Sequence, residues 1–211
     1  MGRVPPRIAG HATVRHGGRL AYGAGSDVID YSSSITPLGT PPAVVRAIKK
    51  AARTVSEYPD PGSGALLGAL SRYTGLPRPN LVVGSGAVEL IYAAAHAFGG
   101  GGRTLVYAPT FGEYEAAVRM YHGGSGIVRY TGKKGALLSS DIDGFIRKMP
   151  DNGMVFLCNP NNPTGELLTR RQVREVLDAA LLLCRLVSRA GRRVLYRDVP
   201  KPARVRHAVR A

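Results

Sequence analysis

The 211-residue sequence contains no tryptophan, only four phenylalanines and only two cysteines, Cys158 and Cys184. Two cysteines cannot build the disulfide framework of small secreted domains, and Cys158 ends an apolar run, which favours a core position. No apolar run reaches the roughly 18 residues that a membrane-spanning helix requires. The N-terminal residues carry no continuous apolar stretch after their charges, which argues against a signal peptide. These absences favour a cytoplasmic protein.

Several catalytic and metal-site motifs are also missing. The five histidines show no metal-ligand spacing, so we expect no metal. Neither a G-x-S-x-G nucleophile elbow nor a G-x-x-x-x-G-K-[ST] phosphate loop occurs.

Acidic residues are scarce near the end of the chain. The sequence holds 29 Lys and Arg against 14 Asp and Glu, a net charge of +15. Residues 181–211 contribute nine of the basic residues and one acid. This change in composition predicts a basic tail over 181–211 that is poorly ordered or foreign to the preceding domain.

Strand and helix patterns alternate from about residue 80 onward. They predict an α/β fold, a mostly parallel sheet with helices on both faces. An N-terminal arm over 1–40 precedes this domain, which we place at 41–180. Thr40 is a candidate cap for the first helix, and Thr169 with Gln172 has the pattern of a capping box. The predicted helices cover about 41–54, 64–73, the segment up to 98, 112–121, 141–148 and 170–184, and the predicted strands cover 81–83, 104–107, 126–130 and 154–158.

The heptad Asn-Pro-Asn-Asn-Pro-Thr-Gly at residues 159–165 directly follows the apolar run 154–158. Its two prolines and final glycine predict a stiff turn at the end of a buried strand. We expect the amides of Asn161 and Asn162 to point outward from this turn. Open α/β sheets build ligand crevices at such strand ends, so the heptad is the main functional clue.

Two other strand ends carry candidate ligand contacts. Residues 84–89 (Gly-Ser-Gly-Ala-Val-Glu) lie between a predicted strand and a helix. Small residues and free N–H groups suit a phosphate there, although a tight turn needs the same glycines. Phe111 follows the next strand, where its ring could lie flat on a planar cofactor or belong to the core.

Tyr58 and His16 are candidates outside these strand ends. Tyr58 lies in a proline-stiffened loop, where its hydroxyl could reach a ligand or a neighbouring subunit, or simply face solvent. His16 begins a His-Gly-Gly sequence and could bind an anionic group or be solvated.

Taken together and in this order, these motifs resemble fold-type I pyridoxal-phosphate (PLP) enzymes of the class I and II aminotransferase family. The closer match is the branch that holds histidinol-phosphate aminotransferase and the threonine-phosphate decarboxylase of cobalamin biosynthesis. The arm, with His-Gly-Gly at 16–18 and Ile-Asp-Tyr-Ser-Ser-Ser-Ile-Thr-Pro-Leu-Gly at 29–39, is similar to that of the decarboxylase. The resemblance covers residues 14–180, roughly the first half of a usual member, and implies an incomplete PLP-binding large domain.

The resemblance implies a role for each matching residue in the sheet domain. Backbone N–H groups of Gly86, Ala87 and Val88 would hold the cofactor phosphate. Phe111 would stack on the pyridine ring, and Asn162 would hydrogen-bond its phenolic oxygen.

The resemblance also implies roles for the arm and for a second subunit. Tyr58 would reach the cofactor phosphate of the other subunit in a homodimer. His16 and Ser34 would lie near a small-molecule substrate, a phosphorylated amino acid or amino alcohol.

The sequence departs from the family pattern in three respects. Val88 stands where the family often has Thr or Ser, and Ser34 and Thr36 stand where the arm usually carries Asn. The family's Schiff-base lysine and its carboxylate-binding arginine have no counterpart here, and Asp198 is a poor match for the aspartate that pairs with the pyridine nitrogen. We therefore expect no catalytic residue and no covalent attachment of PLP, with a truncation or frameshift near residue 181 as the cause.

Two other interpretations remain. One is a non-catalytic domain that binds a phosphate ligand or a partner. The other is nucleic-acid binding through the basic tail. Residues 181–211 hold one tyrosine and no Phe or Trp to stack on bases, so nucleic acid is not the expected partner.

Overall fold

The computed structural model describes residues 14, 16–18, 29, 31–33, 35–99, 102–124, 126–183, 185–190 and 193–197. The chain divides into two compact units. One is Arg15–Val83, and the other joins Met1–Val14 to Gly84–Ala211.

The described part of the unit Arg15–Val83 is helical. It contains helices α1 (Pro42–Ala51) and α2 (Gly64–Thr74) and 3₁₀ turns at Ala52–Thr54 and Arg78–Asn80. The N-cap of α1 is Pro41, and no side chain caps this helix, so the predicted cap by Thr40 is wrong. Proline supplies the helical φ of the first turn and has no N–H that would need an acceptor there, which is why the helix starts one residue later, at Pro42.

Residues 81–83 do not form the predicted strand. Leu81 has extended dihedrals, φ −119° and ψ 132°, and Val82 is 78% exposed. Among the described residues no strand pairs with this segment. Apolar and β-branched residues favour an extended backbone, but a strand also needs a neighbour for its hydrogen bonds.

The second unit is built on a five-stranded sheet with the order β2-β1-β3-β4-β5. The pairs β1–β2, β1–β3 and β3–β4 are parallel, and β4–β5 is antiparallel. The mostly parallel sheet is therefore confirmed. The strands are β1 (Thr104–Tyr107), β2 (Ile127–Tyr130), β3 (Met154–Asn159), β4 (Arg185–Ala190) and β5 (Arg193–Arg197).

Four helices of this unit cover both faces of the sheet, as predicted. They are α3 (Ala87–Phe98), α4 (Glu113–His122), α5 (Ile142–Ile146) and α6 (Arg170–Leu183). Side chains of β1 and β3 alternate between two buried clusters because successive residues of a strand point to opposite faces. Leu105, Tyr107, Val155 and Leu157 pack with α5 and α6, whereas Val106, Met154, Phe156 and Cys158 pack with α3 and α4.

The capping box predicted for α6 is present. The Thr169 N–H donates to Gln172 Oε1 at 2.9 Å, and the Gln172 N–H donates to Thr169 Oγ1 at 3.3 Å. This reciprocal pair of hydrogen bonds caps the start of α6, just after the heptad at 159–165.

Strands β4 and β5 lie inside the segment 181–211, where no strand was predicted. All six residues of β4 pair with β3. Cys184 and Asp198 lie outside the described residues, and the boundaries proposed for the arm, domain and tail remain predictions. In the described part of the chain, no helix combines the length and apolar character needed to cross a bilayer.

Candidate functional site

Two loops meet at the carboxyl edge of the sheet. Because β1 and β3 are parallel neighbours, paired from Thr104↔Met154 to Val106↔Phe156, their last residues lie side by side. The loop 108–112 follows β1 and the turn 159–165 follows β3. The Thr110 hydroxyl donates to Asn161 Oδ1 at 2.8 Å, so the two segments are in direct contact.

The loop 84–88, which leads into α3, lies at the same edge. Helices α3 and α4 run side by side in one direction. From the middle of α3, Tyr92 OH donates at 2.9 Å to Oε2 of Glu113, the first residue of α4. Further along both helices, His122 Nε2 lies 2.7 Å from Ala95 O. Tyr92 is less than two turns into α3, so the start of α3 lies beside loop 108–112.

The start of α3 has the backbone of an anion-binding loop. Its N-cap, Gly86, has φ +92°, a conformation that residues with a Cβ rarely adopt, and no side chain caps the helix. The first-turn N–H groups, including those of Ala87 and Val88, carry the positive end of the helix dipole.

A carboxylate of the chain itself lies at this helix start. Glu89 Oε2 accepts a hydrogen bond from the Ser85 N–H. The sequence interpretation missed this residue. The available signal was an acidic residue three positions after a glycine N-cap, the spacing at which a side chain can turn back to a preceding N–H.

Phe111 lies partly in the core. It packs against the cluster shared with α3 and α4, and its ring meets Tyr114 edge-on with centroids 5.8 Å apart. Tyr114 in turn stacks on Phe156 of β3 at 4.7 Å and 13°. The Phe111 ring is therefore supported by its contact with Tyr114, and part of the ring remains accessible to a ligand.

The three asparagines of the heptad have different environments. Asn162 is exposed, as expected, but Asn161 is 5% exposed, so the outward orientation predicted for Asn161 is wrong. The reason is pairing across the sheet edge: Asn161 Nδ2 donates to Pro109 O at 2.9 Å. Asn159 is 7% exposed; its Oδ1 accepts from the Leu168 N–H at 2.8 Å, and its Nδ2 donates to Leu168 O at 3.3 Å.

Ionisable groups support the site from both faces of the sheet. Burial, followed by the hydrogen bond to Glu113, raises the pKa of Tyr92 to about 12, so Tyr92 stays a neutral donor. Burial opposes ionisation of Glu166, but its hydrogen bonds, including that from the Ser139 N–H at 2.6 Å, outweigh burial and lower its pKa. Glu166 thus ties turn 159–165 to the segment before α5 as a carboxylate.

The other predicted site residues are not in loop 84–88, loop 108–112 or turn 159–165. Tyr58 and His16 are exposed and lie in the unit Arg15–Val83, so their roles remain predictions. Ser34 lies outside the described residues. No group of three or more His, Cys, Asp or Glu side chains that could hold a metal occurs in the described ranges. The sequence interpretation overlooked Thr110 and Glu113 because their partners are distant in sequence.

A family model matches most of the chain. The family model "Aminotransferase class I and II" matches residues 26–186. A histidinol-phosphate aminotransferase of Desulfitobacterium hafniense (strain Y51) is 34% identical over 160 residues, which cover 72% of this chain and 43% of that protein.

Solved structures give the same fold. L-threonine-O-3-phosphate decarboxylase from Porphyromonas gingivalis matches with a TM-score of 0.56 and 27% identity, covering 71% of this chain and 44% of that one. Histidinol-phosphate aminotransferase from Sinorhizobium meliloti, in complex with pyridoxal-5'-phosphate, matches with a TM-score of 0.68 and 23% identity, covering 89% and 50%. The chain thus spans half or less of the length of these relatives.

Proposed function

Because this chain belongs to the class I and II aminotransferase family, we propose that loop 84–88, loop 108–112 and turn 159–165 form a binding site for PLP. The observation that carries the proposal is the position of all three segments at one edge of the sheet. The groups present suit the cofactor: a helix start for a phosphate, a partly accessible aromatic ring for a pyridine, and an exposed amide for a phenolic oxygen.

Each of the three segments binds one part of the cofactor. The N–H groups of Ala87 and Val88 bind the phosphate, Phe111 stacks on the pyridine ring, and Asn162 donates its amide to the phenolic oxygen. Gly86 shapes the loop through its positive φ, since its own N–H donates to Gly84 O at 2.7 Å. When bound, the cofactor supplies an electron sink for chemistry at an amino-acid substrate. The protein's own contribution is to orient the ring and to fix the charge around it.

The substrate class follows from the arm and from the relatives. A phosphorylated amino acid or amino alcohol is the proposed ligand, with His16 and Ser34 beside it. Tyr58 would complete the phosphate site of the partner subunit in a homodimer. The His-Gly-Gly arm and the similarity to a threonine-phosphate decarboxylase and a histidinol-phosphate aminotransferase support this class.

This chain is proposed to hold PLP without a covalent bond and to turn over no substrate. No lysine occurs in loop 84–88, loop 108–112 or turn 159–165. In the unit that contains these segments, Lys133 lies in the 3₁₀ turn Lys133–Gly135 and Lys148 follows α5. A side-chain amine is what forms the Schiff base in covalent catalysis of this kind.

Titration of the full chain with PLP tests the proposal. We expect saturable quenching of tyrosine fluorescence, competition by inorganic phosphate, and no single lysine labelled after borohydride reduction and peptide mass mapping. Asn162→Ala should weaken PLP binding about 10-fold, the loss of one hydrogen bond to a charged oxygen.

Asn152→Gly is the matched control, because Asn152 is also exposed but precedes β3, at the opposite end of that strand from Asn162, and glycine keeps its positive φ. Equal PLP affinity of the two variants, or the absence of saturable binding, would refute the proposal. Phosphate binding with no additional affinity for PLP would instead identify a phosphate-ligand module.

A further inference from the structure

Asn161 has a fully paired side-chain amide in a buried position. Its Nδ2 donates to Pro109 O and to Thr164 Oγ1, each at 2.9 Å. Its Oδ1 accepts from the Thr110 hydroxyl at 2.8 Å. Both amide hydrogens and the oxygen are therefore used, and the side chain is 5% exposed.

The backbone of Asn161 closes the turn that contains it. The Asn161 N–H donates to Glu166 O at 2.8 Å, and the Gly165 N–H donates to Asn161 O at 2.7 Å. Gly165 has φ +71°, which the closing bond requires and which glycine adopts without strain. The position of residue 161 thus determines the shape of the turn.

The sheet itself does not hold the two loops together. Pairing between β1 and β3 ends at Val106↔Phe156, before either loop begins. Beyond that point the contacts of Asn161 with Pro109 and Thr110 span 52 and 51 residues of sequence, respectively. Phe111 follows Thr110 directly, and Asn162 follows Asn161.

We propose that Asn161 is a positioning residue that holds the Phe111 ring and the Asn162 amide at a fixed separation. The inference rests on the proposed PLP site and adds to it the residue that aligns its two ring contacts. Asn161 itself is buried and is not one of the proposed cofactor contacts. Loop 84–88, which binds the phosphate, has no hydrogen bond to Asn161 among the described residues.

Because of this arrangement, a substitution at the Asn161–Thr110 contact should change the affinities for PLP and for inorganic phosphate differently. Loss of the Asn161–Thr110 contact frees the ring contacts but leaves the phosphate loop as it was. PLP affinity should therefore fall while affinity for inorganic phosphate stays constant. A residue that only supports the fold would lower both affinities together, or neither.

Thr110→Val is the most direct variant, because it removes the hydroxyl donor and keeps the side-chain shape. We expect it to weaken PLP binding about 5- to 10-fold, the equivalent of one hydrogen bond, and Asn161→Ala to weaken it further. The absorption maximum of bound PLP should shift in both variants, because the phenolic oxygen loses a fixed donor. Thr54→Val is the control: Thr54 Oγ1 donates to Ala51 O on the surface of the other unit.

Unchanged PLP affinity in Thr110→Val, or parallel losses of PLP and phosphate affinity, would overturn the inference. Should Asn161→Ala fail to fold, Thr110→Val still decides the outcome. A wild-type chain that binds no PLP would refute the proposed function, and amide hydrogen exchange then tests the connection alone. Faster exchange in both 108–112 and 159–166 of Thr110→Val supports the connection, and a change in one segment only refutes it.

Discussion

Replacing Asn159 by alanine should destabilise the protein strongly, because it leaves two buried backbone groups without partners. The Asn159 side chain is the partner of both the N–H and the carbonyl of Leu168, a residue that is 4% exposed. Each unsatisfied buried group costs about 1–3 kcal/mol, so we expect the loss of two partners to lower the free energy of unfolding by about 2–6 kcal/mol.

Urea unfolding followed by far-UV circular dichroism measures this loss. With a slope of about 2 kcal/mol per molar urea, the midpoint should fall by about 1–3 M. Asn162→Ala removes the same side chain from an exposed position of the same turn and should change stability by less than about 0.5 kcal/mol. Equal midpoints for the two variants would refute the assignment of Asn159 as the buried partner of Leu168.

Two further predictions concern charge. Glu89→Gln should raise the affinity for inorganic phosphate, measured by equilibrium dialysis, about 3- to 10-fold, since it removes a carboxylate from the start of α3. Asp178→Asn is the control, because Asp178 is exposed and lies on α6, which packs on the other face of the sheet. An equal gain in both variants would mean that net charge alone acts. The pKa values of Tyr92 and Tyr130 are raised to about 12 by burial and by hydrogen bonds to Glu113 and Asp141. Unfolded tyrosines ionise near pH 10. Above that pH the native state therefore binds more protons than the unfolded state, and the free energy of unfolding should fall from about pH 10 to 12. Spectroscopic titration of the phenols should show a late phase that Tyr92→Phe reduces; a single transition near pH 10 contradicts this.

Local sequence patterns predicted the elements that need only local information. The apolar runs at 104–107 and 154–158 are strands in the structure, and the Thr169–Gln172 pattern is a capping box. In each case the signal lies within a few neighbouring residues, as does the interaction that it predicts.

Predictions failed where a partner distant in sequence decides the outcome. Leu81-Val82-Val83 has strand composition, but in the described residues no neighbouring strand pairs with it. Conversely, no strand was predicted at β4, but all six of its residues pair in parallel with β3. Strand-forming side chains suit a pleated, half-buried surface, but a strand exists only when a second chain segment completes its hydrogen bonds.

The heptad at 159–165 shows most clearly what the local sequence determines and what only tertiary contacts decide. Its sequence determined a stiff turn at the end of a buried strand, because the prolines restrict φ and the glycine permits a positive φ. Three asparagines of the same chemistry stand in this turn. Only the tertiary structure buries Asn159 against Leu168 and Asn161 against Pro109 and Thr110 while it exposes Asn162, since a buried amide must find its partners wherever the fold places them.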